Sequence, residues 1–367
     1  MKIFSRPASK SSPVAQGLPS KALPQVPNPP LALIFPPCCY NLGTLRNLLG
    51  GEGRRPWLSP ATRHFFTGRN PAIFEKVVMA TDLSPAWDEI VSCGGEIRHL
   101  GGSLVILTHV VTPDFFTAAA GESRQQAEPR LAHQRRQLEA QGLKVVVETP
   151  IGLPGSSLNE VARKHDASLM VIGSHGKSRW REWVLGSFAS AVCHQIRFPI
   201  LVLPVRLPER GGQATCLWHC TDLLRHLLLP TDFSAPAAEA LCYAELLAPK
   251  GVARVSLVHA LHLPPREFDE PGWPEKVEAA ARNSLEILKD RLEAAGVPRV
   301  DARLAPGHPI SVILELLQAG DISLIVLGTQ GRGFIAEIFL GSVAHNITRV
   351  APCPILLIPP LNRESAA

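Results

Sequence analysis

The chain has 367 residues, 46% hydrophobic and 19% charged, which is the balance of a globular protein with room for two or three domains. It has no run of eighteen apolar residues, which argues against a membrane-spanning helix. The net charge of +5 is uneven: residues 1–70 hold nine Lys and Arg against the single acid Glu52, leaving 28 basic and 31 acidic residues beyond, so the globular part lacks the basic excess of a nucleic-acid binder.

Residues 1–71 form a Pro-rich basic segment with no sustained helical or strand period, and disorder is the expectation there. Two other readings stay open, an organelle-targeting peptide and a start codon placed too far upstream. The eight cysteines are scattered, several within apolar stretches, as is usual for reduced thiols in the cytoplasm, the expected location.

Beyond residue 71 the chain repeats itself at about 150 residues. Val77-Val78-Met79-Ala80-Thr81-Asp82-Leu83-Ser84 aligns with Leu227-Leu228-Leu229-Pro230-Thr231-Asp232-Phe233-Ser234. The runs Leu169–Gly173 and Leu324–Gly328 align next, then Phe198–Pro204 with Cys353–Pro359. The offset is 150 at the first motif and 155 at the later ones.

In chain order, strands are expected near 75–81, 103–110, 143–149, 168–173 and 199–203. Their counterparts are expected near 225–230, 253–260, 299–304, 322–327 and 354–358. Most are continuous apolar runs, as in parallel sheets buried on both faces. Ser84-Pro85 and Ser234-Ala235-Pro236 read as helix starts. Leu131–Gln141 and Val277–Ala295 read as helices stopped by Gly142 and Gly296.

Alternating strands and helices predict an α/β fold: two tandem, doubly wound, five-stranded parallel-sheet domains of Rossmann-like type. They span 72–206 and 223–360, with a linker at 207–222 and a tail at 361–367. Ligands of such sheets bind beyond the carboxyl ends of the strands.

After the fourth strand of each copy comes the same spacing, G-x2-G-x9-G-S. It is Gly173, Gly176, Gly186 and Ser187 in the first copy, and Gly328, Gly331, Gly341 and Ser342 in the second. Glycine at a strand end lets phosphate oxygens approach backbone amides, and the Gly-Ser pairs precede apolar helical runs whose N-termini favour anions. This is not a P-loop, since position 171 is Val where the first glycine of Gly176-Lys177-Ser178 would fall. The dinucleotide fingerprint is absent as well. The competing readings are a turn without ligand for the glycines and a turn or capping carboxylate for Asp82 and Asp232.

These motifs resemble the universal stress protein family over about 72–206 and 223–360, and the doubled spacing is similar to the ATP-binding signature of its nucleotide-binding branch. The resemblance implies an adenine nucleotide alpha hydrolase-like fold and the cofactor ATP (or ADP or AMP), with Mg2+ as an optional companion. It implies that Asp82 and Asp232 accept hydrogen bonds from the nucleoside and that the backbone at Val110 and Ala260 reads the adenine edge. Gly173, Gly176, Gly186 and Ser187, and Gly328, Gly331, Gly341 and Ser342, would then enclose ribose and phosphates. It further implies self-association through the last strands, Pro199–Leu203 and Pro354–Ile358, either within one chain or between two.

The expected function is a nucleotide-binding stress-response regulator acting through nucleotide-dependent association. The alternatives are a slow ATPase or self-phosphorylating protein with Ser187 or Ser342 near the γ-phosphate, and a scaffold without nucleotide. No nucleophile–base set repeats in both halves, so no catalytic residue is assigned. His109 and His259 read as strand-end packing with satisfied imidazoles. Trp180, Trp183, Phe334 and Ile338 could close the site or simply pack, and Lys177 and Arg332 could meet phosphate charge. Cys216-Leu217-Trp218-His219-Cys220 with His226 could hold a metal in principle, but packing is the preferred reading.

Overall fold

A computed structural model describes residues 73–112, 120–174, 186–195, 197–206, 215–216, 222–262, 272–331 and 340–360. The first half runs β1 (Lys76–Ala80), α1 (Pro85–Ser92), α2 (Gly94–His99), β2 (Leu104–Thr108), α3 (Ala120–Ala140), β3 (Lys144–Glu148), α4 (Pro154–Lys164), β4 (Leu169–Gly173), α5 (Ser187–Cys193) and β5 (Ile200–Leu203). A small hairpin, β6 (Val205–Arg206) with β7 (Thr215–Cys216), reaches into the expected linker. The second half runs β8 (His226–Pro230), α6 (Ala235–Leu247), β9 (Arg254–Leu261), α7 (Trp273–Ala294), β10 (Val300–Pro306), α8 (Pro309–Gln318), β11 (Leu324–Gly328), α9 (Ser342–Val350) and β12 (Ile355–Ile358).

Each half is a five-stranded parallel sheet, ordered β3-β2-β1-β4-β5 and β10-β9-β8-β11-β12. The strands are apolar because both of their faces are covered, and all five residues of β4, β8 and β11 are buried. The two sheets join into one of ten strands. At the join β12 runs antiparallel to β5, with Ile355 opposite Val202, Leu356 opposite Leu201 and Leu357 opposite Ile200. The last strands therefore pair within the chain.

Two apolar layers sandwich this sheet, and each crosses the join. On one face α1, α2 and α3 of the first half share a core with α6 and α7 of the second. On the other, α4 and α5 share one with α8 and α9. Phe74 stacks on Tyr243 across the halves, ring centroids 6.0 Å apart. The Leu223 amide donates to buried Glu96 at 3.2 Å.

The starts and stops follow local chemistry. Pro85 opens α1 after Ser84, and Ser234 accepts from the Ala237 amide to cap α6. Gly142 and Gly296, past α3 and α7, take the left-handed backbone (φ +79° and +102°) that glycine adopts without strain. Helix α3 starts at Ala120, before the expected Leu131, and runs through Pro129. The reading of reduced cysteines fits Cys193, Cys242 and Cys353, which are free and buried, their thiols pushed up to about 12 by burial. Cys93, by contrast, is disulfide-bonded.

Candidate functional site

The site begins with the turn that closes the first strand of each half. In the first, the Leu83 amide donates to Thr81 Oγ1 at 3.0 Å and the Ser84 amide to Asp82 Oδ1 at 2.8 Å. In the second, Phe233 donates to Thr231 Oγ1 at 3.1 Å and Ser234 to Asp232 Oδ1 at 3.0 Å. Threonine and aspartate are needed because each side chain replaces a backbone acceptor two residues back. These bonds hold Leu83 and Phe233 at φ 61° and 60°, a left-handed conformation rare for bulky residues.

The turn commits one carboxylate oxygen to structure and directs the other elsewhere. Asp82 Oδ2 is buried and finds no hydrogen-bond partner among the described residues. A buried carboxylate oxygen in that position is costly until a donor arrives.

Histidine braces the same turn in both halves. His109 Nδ1 lies 2.9 Å from the Thr81 carbonyl and His259 Nδ1 lies 2.8 Å from that of Thr231. A carbonyl accepts only, so Nδ1 carries the proton in each. His259 also packs on Phe233, ring centroids 4.5 Å apart. Each imidazole thus commits its Nδ1 to bracing the turn.

In the second half the scattered candidates converge. Asp232, Ala260, Gly328, Gly331, Gly341 and Ser342 all line one cavity of about 250 Å³. It opens beyond the carboxyl ends of β8, β9 and β11, at the point where the strand order reverses. Pro230, Val258, Pro309, Val312 and Leu327 give it an apolar floor.

The glycines are explained by close approach. A Cβ on Gly331 would stand 2.8 Å from Asp232 Oδ2, and one on Gly328 would stand 2.8 Å from the Pro236 carbonyl oxygen. At Gly328 a larger residue would have to push backbone aside, whereas at Gly331 it would displace the Asp232 carboxylate. Gly341 has an ordinary extended backbone (φ −65°, ψ 159°) and precedes α9, with Ser342 as its first residue. Its amide donates to the Thr329 carbonyl, which folds the loop back on itself.

The first half places its residues in corresponding positions. Gly173 ends β4, Gly186 precedes α5 with the Gly186 amide on the Ser174 carbonyl at 2.9 Å, and Ser187 begins that helix. Val110 follows His109 at the end of β2 and is buried. Gly176 lies outside the described residues, as do Lys177, Trp180, Trp183, Arg332, Phe334, Ile338 and most of the Cys216–Cys220 segment. Among the described residues no group of three or more His, Cys, Asp and Glu is placed to hold a metal.

One difference between the copies went unread in the sequence. The Val205 amide donates to Ser174 Oγ at 3.0 Å. Thr329 takes the place of Ser174, and Pro360, without an N–H, takes that of Val205. Thr329 Oγ1 is accordingly buried with no partner among the described residues. The signal was present in the repeat alignment, carried one residue past the motifs that end at Pro204 and Pro359.

Comparison with known proteins bears on this architecture. The model of the universal stress protein family matches twice, at residues 74–204 and 224–359. The chain belongs to the universal stress protein family. A universal stress protein of Thermus aquaticus is 33% identical over 136 residues, covering 37% of this chain and 99% of its own. One from Mycolicibacterium smegmatis spans both halves, 23% identical over 304 residues, 77% of this chain and 97% of its own. The crystal structure of a universal stress protein from Archaeoglobus fulgidus superposes with a TM-score of 0.60 at 21% identity, covering 78% of this chain and 96% of that one, a likeness of fold. Among the described residues, no helix is long and apolar enough to cross a membrane.

Proposed function

We propose that this universal stress protein binds an adenine nucleotide, ATP, ADP or AMP, in the second-half cavity and at the corresponding place in the first, and acts as a regulator rather than a catalyst. The observation that carries the reading is the convergence of Asp232, Ala260, Gly328, Gly331, Gly341 and Ser342 on one cavity. Its volume of about 250 Å³ is close to the lower limit of roughly 300 Å³ for small-molecule sites. That suits an enclosed nucleoside with its phosphates at the mouth, beside the first turn of α9. Any Mg2+ would arrive on the phosphates. Occupancy would stabilise the aspartate turn and glycine loop together and so alter what the molecule associates with.

The test is to denature the purified chain, identify released nucleotide by chromatography, and melt the native protein with added ATP. At about a hundred times its dissociation constant a ligand stabilises by roughly 2.7 kcal/mol. Gly341→Ala is the informative variant, since its backbone admits a side chain and the new Cβ would lie 3.3 Å from the Thr329 carbonyl oxygen. It should weaken binding by about tenfold, or 1.4 kcal/mol, while the fold persists. Absence of both released nucleotide and thermal shift would rule the reading out. Steady phosphate release lost in Ser342→Ala would replace regulation with catalysis.

A further inference from the structure

Among the described residues the ten-stranded sheet ends at two unpaired edges, β3 and β10, and they are built differently. Strand β10 carries Asp301 and Arg303 and ends at Pro306. Asp301 bonds Arg254 at 2.6 Å and Arg299 at 3.3 Å. Charge and proline are the usual means of keeping an edge from pairing. Strand β3 has no such protection at its centre. The large hydrophobic side chains that stand exposed among the described residues all lie on it or just beyond it: Val146 at 37%, Ile151 at 54% and Leu153 at 67%.

The backbone of β3 is set for a partner. The Lys144 amide donates to Ser103 and the Glu148 carbonyl accepts from His109, so the even-numbered residues spend their backbone groups on the β2 side. By the alternation of a strand, Val145 and Val147 present theirs to the open edge. The side chains alternate too. Val145 and Val147 pack on the core, while Lys144, Val146 and Glu148 share the other face.

The order Lys144, Val146, Glu148 is self-complementary when reversed. We propose that β3 is a homodimer interface, at which a second copy of this chain adds its own β3 antiparallel, centred on Val146. Val146 then meets Val146 as a non-hydrogen-bonded pair, while Val145 and Val147 exchange backbone bonds across the axis. Lys144 of each copy faces Glu148 of the other. Both bonds of Glu148 among the described residues, to Lys164 at 2.7 Å and His165 at 2.8 Å, use Oε1, leaving Oε2 for the second copy's lysine. The strand that could otherwise pair two chains, β5, is already occupied by β12. This inference does not depend on nucleotide binding.

The test is sedimentation velocity of the full chain over a range of concentrations, with disulfide trapping. The expected result is a concentration-dependent dimer that Val146→Lys converts to monomer with an unchanged circular dichroism spectrum and melt. Lys144→Glu should weaken the dimer and Lys144→Glu with Glu148→Lys should restore it. Antiparallel non-hydrogen-bonded pairs have Cα atoms about 4.5 Å apart, within disulfide reach. Mild oxidation should therefore link Val146→Cys chains into a covalent dimer, and link neither the wild type nor Lys144→Cys. A wild type that stays monomeric throughout overturns the proposal. So does a dimer that survives Val146→Lys, or a Val146→Cys variant that does not cross-link.

Discussion

At the scale of single residues, Ser174 and Thr329 hold the same place with opposite consequences. Ser174 accepts from Val205, whereas Thr329 has lost that donor to Pro360. A buried polar group left unpaired costs about 1–3 kcal/mol. Thr329→Val should therefore raise the stability of the ligand-free chain, by about 1 kcal/mol, and Ser174→Ala should lower it by a similar amount. Urea titration of the two variants checks both signs. The aspartate turn shows what sequence reading can reach. Thr-Asp-x-Ser announced itself twice, but the left-handed Leu83 and Phe233 did not. Neither residue favours that conformation, and only the paired side-chain bonds from threonine and aspartate impose it. The glycines were legible as a spacing. That Gly331 faces a carboxylate rather than open space needed the fold.

At the scale of elements, the amino ends of β8 and β9 and the turn before β11 meet in a polar cluster away from the cavity. Buried His226 places Nε2 2.8 Å from Ser256 Oγ. Its Nδ1 is 3.0 Å from Asp321 Oδ2, without the alignment of a hydrogen bond. Arg254 bonds the same Asp321 at 2.9 Å. Burial holds His226 below the ordinary histidine range, against the pull of Asp321. The unfolded chain protonates this residue near pH 6.5 and the folded chain resists, so the unfolded state gains protons first. Stability should be intact above about pH 6.5 and fall as pH drops below it. His345 contributes with the same sign, its pKa lowered by burial, Arg349 and His194. Melting curves from neutral to mildly acidic pH should show a shallower decline for His226→Gln than for wild type. The metal reading of this histidine rested on its nearness in sequence to Cys216 and Cys220, whereas its contacts come from β9 and the turn before β11. Element boundaries were legible where a cap residue or glycine marked them. Helices α4 and α8 are the harder case, because Leu153 and His308 stand at their caps and make no side-chain capping bond. Only Pro154 and Pro309 at the first turn signal a start.

At the scale of the whole molecule, the two halves behave as one structure because both apolar layers cross the β5–β12 join. Leu356, opposite Leu201, is 2% exposed. Leu356→Lys would bury a charge without a partner and should destabilise by several kcal/mol, on the order of 3–5. Loss should appear as one cooperative transition displaced as a unit, with far-ultraviolet dichroism and tryptophan fluorescence moving together. Independent melting of two halves would contradict a shared core. The repeat made two parallel sheets legible, and the family resemblance implied association through the last strands; whether that join formed within the chain or between two was left open, and the fold places it within the chain. The reversal of direction at this join has a consequence for how the molecule can signal. Parallel strands share one carboxyl end, so reversing β12 against β5 sends the two aspartate turns to opposite poles of the sheet. On the proposed reading the two sites would face opposite ways along the sheet, so each could fill or empty without the other.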